Sequence, residues 1–101
     1  MEAMKQKAFE VVRKAVAELA EDMGFPALVS PAEATPLFGG DDGIDSLSLV
    51  RLVADIERAA ELALGKTVIL ADERAMSRRH SPFRTVGTLS DLLYERLGEA
   101  A

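Results

Sequence analysis

Gly43-Ile44-Asp45-Ser46-Leu47-Ser48-Leu49 is the stretch on which the reading of this 101-residue chain turns. A glycine-rich acidic loop enters it and an amphipathic run leaves it. Asp45 is a natural N-cap, because a short carboxylate can accept hydrogen bonds from the unpaired N–H groups of a first helical turn. A helix is expected over residues 46–63, with Leu49, Leu52 or Val53, Ile56 and Ala60 as its buried stripe. Leu47 and Val50 are expected to widen that stripe, and Leu62, Leu64 and Gly65 to close the segment. Ser46 then stands at the helix mouth beside a carboxylate. The unpaired N–H groups and the helix dipole favour an anion at such a place, so Ser46 is well placed to carry a phosphate ester. Plain capping is the alternative account of Asp45-Ser46.

Upstream, residues 2–23 read as a helix. Phe9, Val12, Val16, Leu19 and Met23 fall on one stripe, and Gly24 with Pro26 beyond it marks the stop. Residues 24–44 hold three prolines and four of the seven glycines, which makes a long loop. Loops of that length in small domains usually serve function. Leu28, Val29, Leu37 and Phe38 are expected to pin it to the core, and Ser30-Pro31-Ala32-Glu33 suits one short helical turn.

Downstream, Lys66-Thr67-Val68-Ile69-Leu70 has strand-like composition but no partner, so an extended, partly buried connector is expected. Asp72 can cap a short helix from about Glu73 to Arg79. A last helix is expected over 88–98, with Thr85 or Thr88 near its start and Gly98 at its end. Val86, Leu89, Leu92, Leu93 and Leu97 give it helical spacing.

Composition narrows the function classes. The chain is long enough for one small domain, residues 1–101, and its 49% apolar content permits a real core. Five aromatic residues and no Trp leave that core to aliphatic side chains, which suits packed helices. The net charge of -5 argues against electrostatic binding of nucleic acid. Residues 31–61 carry seven acids against two bases, a focused region that can steer a basic partner. General solubility is the plainer account of the same charge. With no cysteine, disulfides, thiolate metal sites and a thiol nucleophile are excluded, and any thiol chemistry must be imported. No apolar run suits a membrane span, and Glu10, Arg13, Lys14 and Glu18 interrupt any signal-peptide core, so a cytoplasmic location is expected.

The Asp45-Ser46-Leu47 triplet, the long loop before it, the helix opening on it, the full helix upstream and the closing Thr85-Val86 helix together resemble the acyl carrier protein family over nearly the whole chain. The resemblance implies an all-α, four-helix fold with a long loop after the first helix. It also implies a carrier and not an enzyme, whose chemistry sits on a 4'-phosphopantetheine attached to Ser46 by a phosphopantetheinyl transferase using coenzyme A. Asp45 would match the acid linked to positioning metal and cofactor during that modification, and Leu47 the apolar residue that contacts partner enzymes. Gly43 and Ile44 match the pair entering the motif. Asp55, Glu57 and Glu61 would form an acidic face for acyl-loading and acyl-processing enzymes of fatty-acid, polyketide or related lipid synthesis. A monomer, without nucleic acid and without membrane insertion, is expected.

Two departures point to a specialised, stand-alone member. Arg51 stands where the family commonly has an acid, and Arg58 also lies among the acids. From Ser46 to Thr85 the chain runs about a dozen residues longer than a typical fatty-acid carrier, which enlarges the third-helix region. That segment holds the basic stretch Arg74–Arg84 and the single histidine, His80. It reads either as a partner-specific docking segment or as a solvated insertion. Val50, Leu52, Val53, Ile56, Val68, Ile69, Leu89 and Leu93 are apolar enough to line an internal cavity, although an ordinary packed core accounts for them better.

Two further classes remain open: a stand-alone peptidyl or aminoacyl carrier, and an unmodified helical interaction module that uses Ser46 only as a cap. Other sites fail on spacing. A calcium loop starting at Asp41 would need a glutamate where Leu52 stands. The glycines at 39, 40 and 43 lack the Gly-Lys-Ser/Thr ending of a phosphate loop.

Overall fold

A computed structural model describes residues 2–25, 28–38, 43–77 and 81–99. Among these residues the chain forms four helices and no named strand: α1 (Glu2–Met23), α2 (Ser46–Leu64), α3 (Glu73–Met76) and α4 (Val86–Glu99). The fold is all-α. Helix α1 is the hub and packs against both α2 and α4. The third-helix region is long, but its helix is a single turn. Pro26, the glycines at 39 and 40, Asp41, Asp42, Arg78, Arg79 and His80 lie outside the described residues, so the calcium-loop test and the expected end of α3 at Arg79 fall there too.

Each helix starts and stops where local chemistry allows. Asp45 caps α2 by accepting the Ser48 N–H at 2.7 Å, as its place in the sequence predicts. Gly65 ends α2 in the left-handed region at φ 67°, where its N–H reaches the Glu61 carbonyl. Asp72 caps α3 through the Ala75 N–H at 3.0 Å. Helix α4 begins two residues earlier than the spacing predicts and runs through Gly98 to Glu99. Its start is a reciprocal cap: the Thr88 N–H donates to Thr85 Oγ1, and the Thr85 N–H donates to Thr88 Oγ1.

The core joins Val12, Val16 and Leu19 of α1 to Leu52, Ile56 and Ala60 of α2 and Leu89, Leu92, Leu93 and Leu97 of α4. Two expectations about faces are corrected. On α1, Met23 is exposed and Phe9 only half-buried, while Ala8, Ala15 and Ala20 are buried. Small alanines let α1 approach two helices at once, so its buried face is wider and rotated from the stripe of large residues. On α2, Leu47 and Val50 do not widen the buried stripe: they are 80% and 66% exposed. At 3.6 residues per turn they fall on the side away from Leu52 and Ile56.

The long loop is not loosely pinned; it is stitched by backbone. The Leu37 N–H donates to the Arg84 carbonyl at 2.6 Å, and the Phe38 N–H to Phe83 at 3.1 Å. In return the Val86 N–H reaches Thr35 and the Gly87 N–H reaches Glu33. Leu28 and Leu37 are buried and Phe38 half-buried, whereas Val29 is exposed. In place of the helical turn expected to start at Ser30-Pro31-Ala32-Glu33, residues 32–35 form one tight turn, closed by the Thr35 N–H on the Ala32 carbonyl. Gly87 makes the stitching possible, because a Cβ there would lie 2.8 Å from the Glu33 carbonyl oxygen.

The connector after α2 forms no helix or named strand and is partly buried, with Val68 and Leu70 buried and Ile69 exposed.

Candidate functional site

The start of α2 is built from both sides of the loop. Ile44 is buried, and its N–H donates to the Leu37 carbonyl at 2.7 Å, which fixes the chain just before the cap. Asp45 turns the chain into the helix, and Ser46 is the first helical residue, exposed to solvent. The Asp45 carboxyl is held below its ordinary pKa, first by the Ser48 backbone N–H and second by the Ser48 side chain. The buried Ser48 hydroxyl lies close enough to act on Asp45 in this way, although it forms no full hydrogen bond.

The anion-favouring helix mouth is thus already occupied in part by Asp45. What surrounds Ser46 is apolar. Leu47 and Val50 on α2 and Met76 on α3 stand exposed. Between them opens a pocket of ≈ 260 Å³ lined by Ser46, Leu49, Val50, Met76 and the two aromatic residues Phe38 and Phe83, with Ala75 and Ser81 completing the wall. A larger cleft of ≈ 410 Å³ lies between the first half of α1 and α4, but Lys5, Gln6, Glu33 and Asp91 make it polar and of mixed charge, and Ser46 is not part of it. The chemistry legible in the sequence therefore adjoins the smaller, apolar pocket. Leu52, Ile56, Leu89 and Leu93 are fully buried and Val53 and Val68 nearly so, whereas Val50 and Ile69 are exposed. Six of these eight residues belong to the packed core and two lie on the surface.

The charged residues expected to meet partners are placed unequally. Glu61 is exposed. Glu57 is half-buried, and one of its oxygens accepts the Leu70 N–H at 2.9 Å, so it holds the connector. Asp55 pairs with Arg51 at 3.5 Å, and Arg51 reaches across to Asp22 at the end of α1. Arg51 therefore ties α2 to α1 by pairing with one acid on each.

A second cluster was not anticipated. Arg96 of α4 is 5% exposed, and its guanidinium grips both oxygens of Asp72 at 2.7 and 3.0 Å. Arg74 adds a contact to Glu99. The Asp72 carboxyl is held below its ordinary pKa, first by the Ala75 N–H and then, against desolvation, by the charges of Arg96 and Arg74. The signal available in the sequence was one arginine among the leucines of α4.

No protein-family model matches the chain, and neither a curated protein nor a solved structure matches it significantly. No helix among the described residues is long and apolar enough to cross a membrane.

Proposed function

We propose that this protein is an acyl carrier, modified at Ser46 with 4'-phosphopantetheine. The observation that carries the reading is an exposed serine on the first turn of α2, next to its capping aspartate, at the mouth of an apolar pocket. The residues fit the group. Ser46 is exposed, and the exposed Leu47 and Val50 offer an apolar landing for a transferase. In the modification the Ser46 oxygen forms a bond to the pantetheine-side phosphorus of coenzyme A, the pyrophosphate bond breaks, and adenosine 3',5'-bisphosphate leaves. The serine proton passes to a base on the transferase. Once attached, the group supplies a terminal thiol that holds acyl cargo as a thioester.

The apolar pocket favours acyl chains over aminoacyl cargo, whose ammonium would lose hydration there. The exposed Leu47, Val50 and Met76 also suit an unmodified docking module, and one measurement separates the two readings. Incubation with coenzyme A, magnesium and a broad-specificity transferase is expected to add one phosphopantetheine mass. Ser46→Ala is expected to abolish that gain while changing stability by no more than about 0.5 kcal/mol, as exposed substitutions usually do. No gain in the wild type, or a gain that survives Ser46→Ala, overturns the carrier reading.

A further inference from the structure

We infer that Ser48 is a positioning residue for the modification of Ser46: its buried hydroxyl is the second donor that holds the Asp45 side chain in one orientation beside the Ser46 oxygen. This rests on the carrier reading and adds to it a residue outside the Asp45-Ser46-Leu47 triplet. Among the described residues two serines are buried, and they use their hydroxyls differently. Ser90 of α4 donates to the Val86 carbonyl one turn back at 2.8 Å, as serines inside helices commonly do. Ser48 of α2 is 2% exposed, and its hydroxyl takes no such bond. It lies at the cap instead. Its backbone N–H donates to Asp45 Oδ1 at 2.7 Å, and its hydroxyl is close enough to favour the charged form of the same carboxyl.

Stability does not account for this hydroxyl. Burying a hydroxyl without a full hydrogen bond opposes folding, and alanine is the better helix former. Its use lies in orientation. Asp45 is exposed, and among the described residues the full hydrogen bond to it comes from the Ser48 N–H. An exposed side chain held by one bond can leave its rotamer and return. A second donor on the same turn removes that freedom, and a hydroxyl can turn its proton toward the carboxylate without moving its oxygen. The outer oxygen of Asp45 stays open next to Ser46. A transferase, or the cation that accompanies the phosphates of coenzyme A, can reach it there. A carboxylate already held in one rotamer loses less freedom when it is engaged. Ser48 therefore acts through Asp45 and touches no reactant.

The test compares the whole protein with its Ser48→Ala and Ser48→Thr variants by two readouts. The first uses the unmodified protein and does not depend on any transferase. The Asp45 Hα–Hβ couplings, measured by NMR at neutral pH, should show a single rotamer in the wild type and in Ser48→Thr, and averaging in Ser48→Ala. The second is the rate of phosphopantetheine addition with coenzyme A, magnesium and a broad-specificity transferase, followed by mass. Ser48→Ala is expected to lower kcat/KM about fivefold, the scale of one lost hydrogen bond, and Ser48→Thr to stay within about twofold of the wild type. The urea midpoint of Ser48→Ala should be no lower than that of the wild type, which a merely structural role would not allow. Modification of Ser48→Ala at the wild-type rate, unchanged Asp45 couplings, or slowing that tracks a lowered midpoint overturns the inference and leaves the carrier reading standing. Failure of the wild type to gain the arm at all removes both.

Discussion

The loop before α2 and the connector after it have similar jobs and opposite fastenings. The loop is held by main-chain hydrogen bonds to residues 83–87, four of them between 2.6 and 3.1 Å. The connector is held by side chains: Glu57 takes the Leu70 N–H, and Arg96 takes Asp72. Main-chain fastenings do not titrate and survive most substitutions. Side-chain fastenings can be removed one at a time, by mutation or by acid. One flank of Ser46 is therefore fixed, while the other is adjustable.

The largest expected break is on the loop side, at the one position where the backbone itself is vulnerable. Gly87→Ala places a Cβ against the Glu33 carbonyl. It is expected to cost about 1–3 kcal/mol, as overpacking does, measured as a lower urea midpoint with an unchanged slope. Unchanged stability would show that the loop yields more easily than its hydrogen bonds suggest.

Acid should break the connector and spare the loop. The Asp72 carboxyl is depressed by the Ala75 N–H and by Arg96 and Arg74, with Glu99 and Glu95 also facing Arg74. A depressed carboxylate stabilises the fold fully above its unfolded value near about 4, and that contribution is lost as pH falls through the lower folded value. The Ala75 amide resonance should shift below about pH 4, before those of Leu37 and Phe38. Simultaneous change at all three would mean that the two sides are one cooperative unit.

The smallest effect is expected from Glu57→Ala, which leaves the Leu70 N–H unpaired. About 1 kcal/mol should be lost, with faster exchange at Leu70 and none at Leu37.

This contrast also explains what could be read from the sequence. Asp45, Asp72 and Gly65 were legible because capping acts within a few residues. The leucines of α4 were legible because a helix repeats. The pairing of residues 35–38 with 83–86 was not, since main-chain hydrogen bonds leave no mark on side-chain identity. Hydropathy does not say which face of α2 meets α1, so the sequence alone places Leu47 and Val50 on the buried stripe although they are exposed. Arg96 was missed because its partner, Asp72, lies 24 residues away.

Arg51 gives Ser46 an unusual neighbourhood. The cation nearest to it on α2 is already spent on Asp22 and Asp55, and the helix mouth is already shared with Asp45. Among the described residues of α2, Arg51 is then committed elsewhere and would offer little grip to the phosphodiester proposed at Ser46. If Ser46 carries the proposed arm, that arm is tied to a post fixed by backbone, with a reach set by its own length. A bound enzyme would meet the cargo at a high effective concentration without having to pull it off a counter-charge.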